Sequence, residues 1–274
     1  TAQLMKMDGG SQRKLSKRKG PELALGFYNQ EGYPVPSVIE YLMTLLNSNF
    51  EEWRLANPNE DIKKFNFTTK KMSVSGALFD IDKLRDVSKN VVSKMDADTV
   101  YQYVSDWARE FDPDFFQLLD QDPAYAKSIL AIGRGVPKPR KDIAVWTEVK
   151  PYMAFFYDSL FVPGSDYPDH VSREDAIAML EQYQAIYDPA DDNDAWFAKI
   201  GQLAEKLGYA PATKLYKKDP SAYKGHVGDV SMVLRVAVTG RTNSPDLCAV
   251  MGILGRERVL ARLQQAANAL KESK

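Results

Sequence analysis

The chain has 274 residues, 36 Lys and Arg against 37 Asp and Glu, with 44% hydrophobic and 27% charged residues. These proportions exclude a disordered chain, a collagen-like repeat and a coiled-coil rod, and the length allows two domains or three small ones. A single cysteine, Cys248, excludes an internal disulfide framework, and two widely separated histidines, His170 and His226, lack ligand spacing, so no metal is expected.

The chain reads as helices separated by Pro, Gly and Asp. Loose alternation over Thr1 to Met7 suggests a short extended segment, Asp8-Gly9-Gly10-Ser11 a turn, and Arg13 to Lys19 a basic loop. Helices are expected over Glu22 to Gln30 and over Val35 to Leu46, where Val38, Ile39, Leu42, Leu45 and Leu46 recur at helical spacing. Asn47 to Asn59 reads as a polar connection anchored by Trp53, and Asp61 to Phe65 as a short helix. Apolar spacing extends a helix over Ser75 to Met95, and Asp96 caps another over Ala97 to Phe111, closed by Asp112-Pro113.

Phe115 to Leu119 and Pro123 to Ile132 are short helices, and Gly133-Arg134-Gly135-Val136-Pro137 is a break. Ile143 to Leu160 is periodic, with Pro151 marking a kink or a division into two helices. Pro163 to His170 is a loop, and Ser172 caps a helix running to Tyr187. Further helices are expected over Asn193 to Leu207 (ended by Gly208), Val227 to Val238, Pro245 to Ile253 and Arg256 to Leu270. The fold class is therefore all-α, mainly helical. The tryptophans Trp107, Trp146 and Trp196 sit at core spacing, and Cys248 reads as a small core residue.

The net charge of −1 hides strong segregation. The stretches from Thr1 to Gly20, Lys127 to Lys150 and Arg256 to Lys274 carry +5, +4 and +3, whereas Asp158 to Asp194 carries −9. Such a pattern can turn basic faces to a polyanion while acidic faces stay in water, although solvated helix faces explain charge clusters equally well. The densest cluster is Arg13-Lys14-Leu15-Ser16-Lys17-Arg18-Lys19, with five cations in seven residues and Gly9, Gly10 and Gly20 around it. A loop of this kind can close over a polyphosphate and neutralise charge developing on it. On charge alone a nonspecific nucleic-acid patch is the simpler reading.

The order of residues adds to this. Lys14-Leu15-Ser16-Lys17-Arg18 resembles the second signature motif of class I aminoacyl-tRNA synthetases in its glutamyl-tRNA synthetase variant, preceded by the turn Met7-Asp8-Gly9-Gly10. Gly32 to Leu42, Ser75 to Leu84, Arg235 to Thr242, Ser244 to Leu247 and Leu254 to Leu263 resemble later segments of the bacterial-type family, in family order and over nearly the whole chain. The resemblance implies residues 1–20 as a remnant of the catalytic domain, 21–111 as a stem-contacting helical domain, and 112–190 and 191–274 as two helical anticodon-binding subdomains. The catalytic Rossmann domain and the first signature motif would precede Thr1.

The resemblance further implies that Lys17 contacts the phosphates of ATP, supported by Lys14, Ser16 and Arg18. ATP with Mg²⁺ would serve the full-length enzyme, with no cofactor in this part alone and no aminoacylation by it. The partners would be tRNA(Glu), with glutamate and ATP held by the preceding domain, and neither membrane nor DNA. Arg134, Lys138, Arg140 and Lys141 lie at a loop-to-helix junction beside Gly and Pro, suited to splayed bases and phosphates, with Arg140 the foremost base contact. Arg241, Arg256, Arg258 and Arg262 form a second basic group, and Arg258 and Arg262, four residues apart, could follow a phosphate line. No apolar run approaches the roughly 20 residues that span a bilayer, and no signal-peptide core follows the first charges, so a cytoplasmic location is expected. The alternative is a non-catalytic helical RNA-binding or assembly module. A glutaminyl-tRNA synthetase, whose anticodon part is a β-barrel, fits the helix-rich sequence poorly.

Overall fold

The computed structural model describes residues 4–15, 20–72 and 77–272. The fold is mainly helical, about 64% helix with one small sheet. Internal contacts divide the chain into two compact units, Thr1–Tyr152 and Met153–Lys274.

In the first unit, β1 (Leu4–Asp8) and β2 (Ser11–Lys14) form an antiparallel hairpin with Met5 opposite Lys14 and Asp8 opposite Ser11. Gly9 and Gly10 make the turn at φ +56° and +86°, a region costly for any residue with a Cβ. A third strand, β3 (Ala77–Leu78), runs parallel to β1 on its other edge. The helices α1 (Leu25–Glu31), α2 (Val35–Leu46), α3 (Phe50–Ala56) and α4 (Ile81–Lys94) follow around this sheet. Leu15, Tyr33, Tyr41, Phe79, Leu84, Ala144 and Val145 form the buried cluster there. Gly32 ends α1 at φ +79°, and a Cβ there would strike Trp146 at 2.7 Å.

Three aspartates then set three helices in a row. The carboxylates of Asp96, Asp112 and Asp122 accept from the backbone N–H of Thr99, Phe115 and Tyr125 at 2.7, 3.1 and 2.9 Å. They cap α5 (Ala97–Phe111), α6 (Pro113–Gln121) and α7 (Pro123–Leu130). An irregular stretch leads to α8 (Val149–Met153).

The second unit is built of α9 (Arg173–Ile186), α10 (Asn193–Lys206), α11 (Thr213–Lys218), α12 (Val227–Thr239), α13 (Leu247–Leu254) and α14 (Arg256–Glu272). The central helix is α12, whose Val230, Val233, Leu234, Val236 and Val238 are all buried, with α9, α10 and α14 against it. The indole of Trp196 donates to the Tyr183 hydroxyl at 2.9 Å, and the Tyr187 hydroxyl donates to the Met251 carbonyl at 3.1 Å.

Several expectations are corrected. Asn47 to Asn59 is largely helical: α3 turns Phe50 and Trp53 onto Phe65, with ring centroids 5.0 and 5.4 Å away. Of the helix expected over Ser75 to Met95, Ser75 and Gly76 lie outside the described residues, and the described part starts only at Ile81, because Ala77 and Leu78 pair with β1 and Asp80 caps the helix behind them. Ile143 to Leu160 is neither one kinked helix nor two helices but 3-10 turns flanking the five residues of α8. Its apolar residues are buried on all sides, so their spacing carries no helical stripe. Cys248 is half-buried, with its thiol 3.4 Å from the Asp191 carbonyl. Among the described residues no helix is long and apolar enough to cross a membrane.

Candidate nucleic-acid interface

The signature segment is held at both ends. Ser16, Lys17 and Arg18 lie outside the described residues. Before them, Lys14 is exposed at the end of β2, while Leu15 is only 4% exposed and its N–H donates to the Leu4 carbonyl at 2.9 Å. After them, Gly20 is buried, and a Cβ there would collide with the Glu22 carboxylate. Glu22, 7% exposed, is paired with Lys6 on β1, and the Tyr28 hydroxyl donates to its carbonyl at 2.6 Å. Burial alone would raise the Glu22 carboxyl, but the hydrogen bond and charge of Lys6, a backbone hydrogen bond and the Arg13 charge together outweigh it and hold the group below its usual range.

The second predicted group, residues 131–142, separates into two kinds of cation. Arg134 is turned inward: its guanidinium donates to the carbonyls of Leu130 at 2.7 Å, Val92 at 2.6 Å and Met95 at 3.1 Å. It donates to carbonyls at the C-terminal ends of α7 and α4, where Val92 also accepts from the Met95 N–H at 3.2 Å. Arg134 is therefore a structural clamp, and its expected place on an RNA-facing surface is corrected. Arg140 is exposed and forms a two-pronged contact with Asp142, at 2.5 and 3.0 Å. That fork fixes the orientation of the guanidinium and offsets its charge. Lys138 and Lys141 are exposed and form no ion pair among the described residues. Lys141 lines a cavity of about 390 Å³ with Glu40, Arg54 and Lys94. Burial lowers the Lys94 amine, as do the nearby Arg54 and Lys141 charges, while Glu40 opposes them.

The third predicted group is also partly internal. Arg262 is 4% exposed; it donates to the carbonyls of Phe155 at 2.7 Å and Val238 at 2.9 Å and to the Asp158 carboxylate at 2.8 Å. Its guanidinium carbon lies 3.7 Å from the centroid of the Phe161 ring. Arg258 donates to the Phe156 carbonyl at 2.8 Å, and Arg256 to the Tyr187 carbonyl at 2.7 Å. Arg258 and Arg262 do share a face of α14, but that face meets the turn at 154–156 and supplies its carbonyls with donors. The reading of this pair as a phosphate-following line is corrected accordingly. Arg241 is half-buried, its guanidinium 5.5 Å from the Phe155 ring centroid. Among the described residues, His170 lies 3.2 Å from Asp229, and Nδ1 of His226 accepts from the Gly228 N–H at 2.9 Å, capping α12.

One cationic group escaped the sequence reading. Lys214, Lys217 and Lys218 lie on α11, and the signal that marks them is their spacing of three and four residues.

Residues 221–267, which include α12 and α13 and most of α14, match a family described as an anticodon binding domain. The chain is 49% identical over 265 residues to a glutamate–tRNA ligase of Acetivibrio thermocellus, covering 97% of this chain and 48% of that protein. It is 45% identical to one of Clostridium perfringens and 47% identical to one of Sorangium cellulosum, covering 95% and 92% of this chain and 48% and 45% of theirs. A crystal structure of a glutamate tRNA ligase from Elizabethkingia meningosepticum shares the fold, with a TM-score of 0.62 at 18% identity over 98% of this chain and 50% of that one. The class these findings define is a mainly helical protein with a segment that matches an anticodon binding domain family. Within that class, the chain is a homologue of the C-terminal part of glutamate–tRNA ligases. It spans about half the length of the curated relatives it matches.

Proposed function

We propose that this chain is the tRNA-binding part of a glutamate–tRNA ligase, and that the whole enzyme activates glutamate with ATP and Mg²⁺ and transfers it to tRNA(Glu) in the cytoplasm. The observation that carries this reading is the coincidence of the anticodon binding match at 221–267 with the helices around α12, within a chain 49% identical to such a ligase. Residues 21–111 then serve the tRNA stem, and 112–190 and 191–274 the anticodon end.

In the whole enzyme, Lys17 would face the ATP phosphates, with Lys14, Ser16 and Arg18 beside it. Leu15, Gly20 and Glu22, all buried on either side of residues 16–19, support this role. Cations there would offset the charge that grows on the phosphates as pyrophosphate leaves. Lys138, Arg140, Lys141 and Arg241 are the residues retained for tRNA contact. Arg134, Arg258 and Arg262 act on the backbone that carries those surfaces.

The test is binding of this chain to an in-vitro transcript of tRNA(Glu) across a salt series, beside a copy with a substituted anticodon. Affinity that falls steeply with salt and weakens for the substituted copy is the expected result. Equal affinity for both transcripts would reduce the function to a nonspecific basic surface.

A further inference from the structure

The segment joining α10 to α12 is a loop closed at its base. Its two feet pair with each other: the Ala210 N–H donates to the Gly225 carbonyl at 2.9 Å, the Lys224 N–H to Gly208 at 3.0 Å and the Val227 N–H to Ala210 at 2.8 Å. Tyr209 is buried in the base, and its hydroxyl lies 3.1 Å from the Asp175 carboxylate, which also receives the Lys224 ammonium at 2.8 Å. Gly225 passes so close that a Cβ would meet the Tyr209 ring at 2.9 Å. These contacts tie both feet to the start of α9.

The tip of this loop is α11. Tyr216 leans edge-on against His226, the residue that caps α12, with centroids 5.3 Å apart. Lys214, Lys217 and Lys218 are exposed and make no ion pair or hydrogen bond among the described residues. The spacing i, i+3, i+4 puts the three ammonium groups on one side of the helix, with roughly 5–6 Å between neighbouring Cβ atoms. Leu215, 41% exposed, stands at the edge of this side. The carboxylate that follows, Asp219, accepts from the Ser221 hydroxyl at 2.6 Å. The contrast with Arg258 and Arg262 is chemical. Those guanidinium groups hold carbonyls inside the unit, whereas these ammonium groups are point charges on a braced tip.

We propose that Lys214, Lys217 and Lys218 form a contact surface for the phosphate backbone of the tRNA anticodon arm. The assignment rests on the tRNA-binding reading above and deepens it. An RNA backbone fits better than an acidic protein for two reasons. Three ammonium groups at helical spacing suit a line of phosphates, and Leu215 is the one large apolar side chain exposed on α11 beside them, less than the aromatic anchors that protein partners use. The surface also stands directly before the stretch that matches an anticodon binding domain.

The experiment compares the unsubstituted chain with the triple variant K214A/K217A/K218A. Both are titrated with three transcripts across a salt series: tRNA(Glu), its anticodon stem-loop alone, and its acceptor-stem hairpin. The variant should bind tRNA and the stem-loop at least about tenfold more weakly near 0.1 M salt, with a log–log salt slope shallower by about 2 to 3. The ratio between the authentic anticodon and a substituted one should stay unchanged, because phosphate contacts carry no base information. The triple Arg variant should restore the slope, which separates lost charge from lost fold. An unchanged slope in an alanine variant that still binds would overturn the proposal and leave the tRNA-binding reading intact. An equal loss on the acceptor hairpin would overturn its placement on the anticodon arm. Failure of the unsubstituted chain to bind tRNA would overturn the tRNA-binding reading and this assignment with it.

Discussion

Residues 131–142, which follow α7 in the first unit, and residues 207–226, which join α10 to α12 in the second, are both basic, and the arginines of the one and the α11 lysines of the other are used differently. In the first, Arg134 reaches inward and holds three backbone carbonyls, and Arg140 is braced by Asp142. In the second, the bracing comes from Tyr209, Gly225 and backbone pairing, and Lys214, Lys217 and Lys218 are left facing water. The difference follows from the side chains. A planar guanidinium with several donors matches clustered carbonyls, whereas a hydrated ammonium is poorly suited to that task. Charge counted along a sequence therefore overstates a binding surface wherever arginines stand next to helix ends.

The sharpest way to break this comparison is at Arg262. Arg262→Leu leaves the Phe155 and Val238 carbonyls without their donor, and unfolding free energy should fall by about 3 kcal/mol. A urea titration followed by circular dichroism reads this loss directly. A shift of the midpoint too small to detect would mean that the buried guanidinium is not needed, and the division between inner arginines and outer lysines would fail. Arg134→Leu should cost about 2 kcal/mol by the same measurement, since Arg134 is less completely buried. Arg134→Lys should recover only part, because one ammonium cannot reproduce the planar fork.

How much of this was legible beforehand differs element by element. The helix over Val35 to Leu46 is visible residue for residue, because Pro36 and the apolar spacing act locally. Asp96 and Ser172 likewise announce α5 and α9 through contacts only three residues long. By contrast, β3 exists only through pairing with a strand more than seventy residues earlier, which no local pattern reports. The polar sequence of α3 hid a helix whose few aromatics pack on Phe65, and α11 is too short to carry a stripe. At the interface, residue types and spacing named the cations but could not say which way they turn. Arg258 and Arg262 share a face as their spacing requires, yet the neighbour of that face is a turn brought there by the fold.

A milder test concerns the packing of the frame beneath the signature segment. Burial pushes the Tyr41 hydroxyl up to about 12, opposed by the hydrogen bond it accepts from the Asp80 N–H at 2.6 Å. Tyr28 is pushed up to about 12 by burial and by Glu22. Because the folded value lies above the unfolded one of about 10, the stabilisation is complete below pH ~10 and is lost between pH ~10 and ~12. Near pH 11 the loss for the fully buried Tyr41 is about 1.4 kcal/mol. Tyrosinate absorbance followed with pH should show a set of hydroxyls that ionise only as the circular dichroism signal falls. Ionisation of every tyrosine near pH 10 with the helical signal intact would show that this frame is open to water.

The smallest effect on stability and the largest contrast with Arg134 should come from Lys138 and Lys141. Both are exposed and carry no ion pair among the described residues, so alanine at either should change the unfolding free energy by less than about 0.5 kcal/mol. Their effect should appear only against RNA. Each phosphate contact removed should make the salt slope of tRNA binding shallower by about 1, and the double variant by about 2. Lys141 adds a second reading, because it lines the cavity that also holds Arg54 and Lys94. An ammonium there raises the cost of charging Lys94, so Lys141→Ala should move the Lys94 amine up towards its ordinary value. Nuclear magnetic resonance of the lysine side chains can follow that change without RNA present. A variant with the raised amine and an unchanged salt slope would place Lys141 in the electrostatics of the cavity and leave tRNA contact at this loop to Lys138 and Arg140.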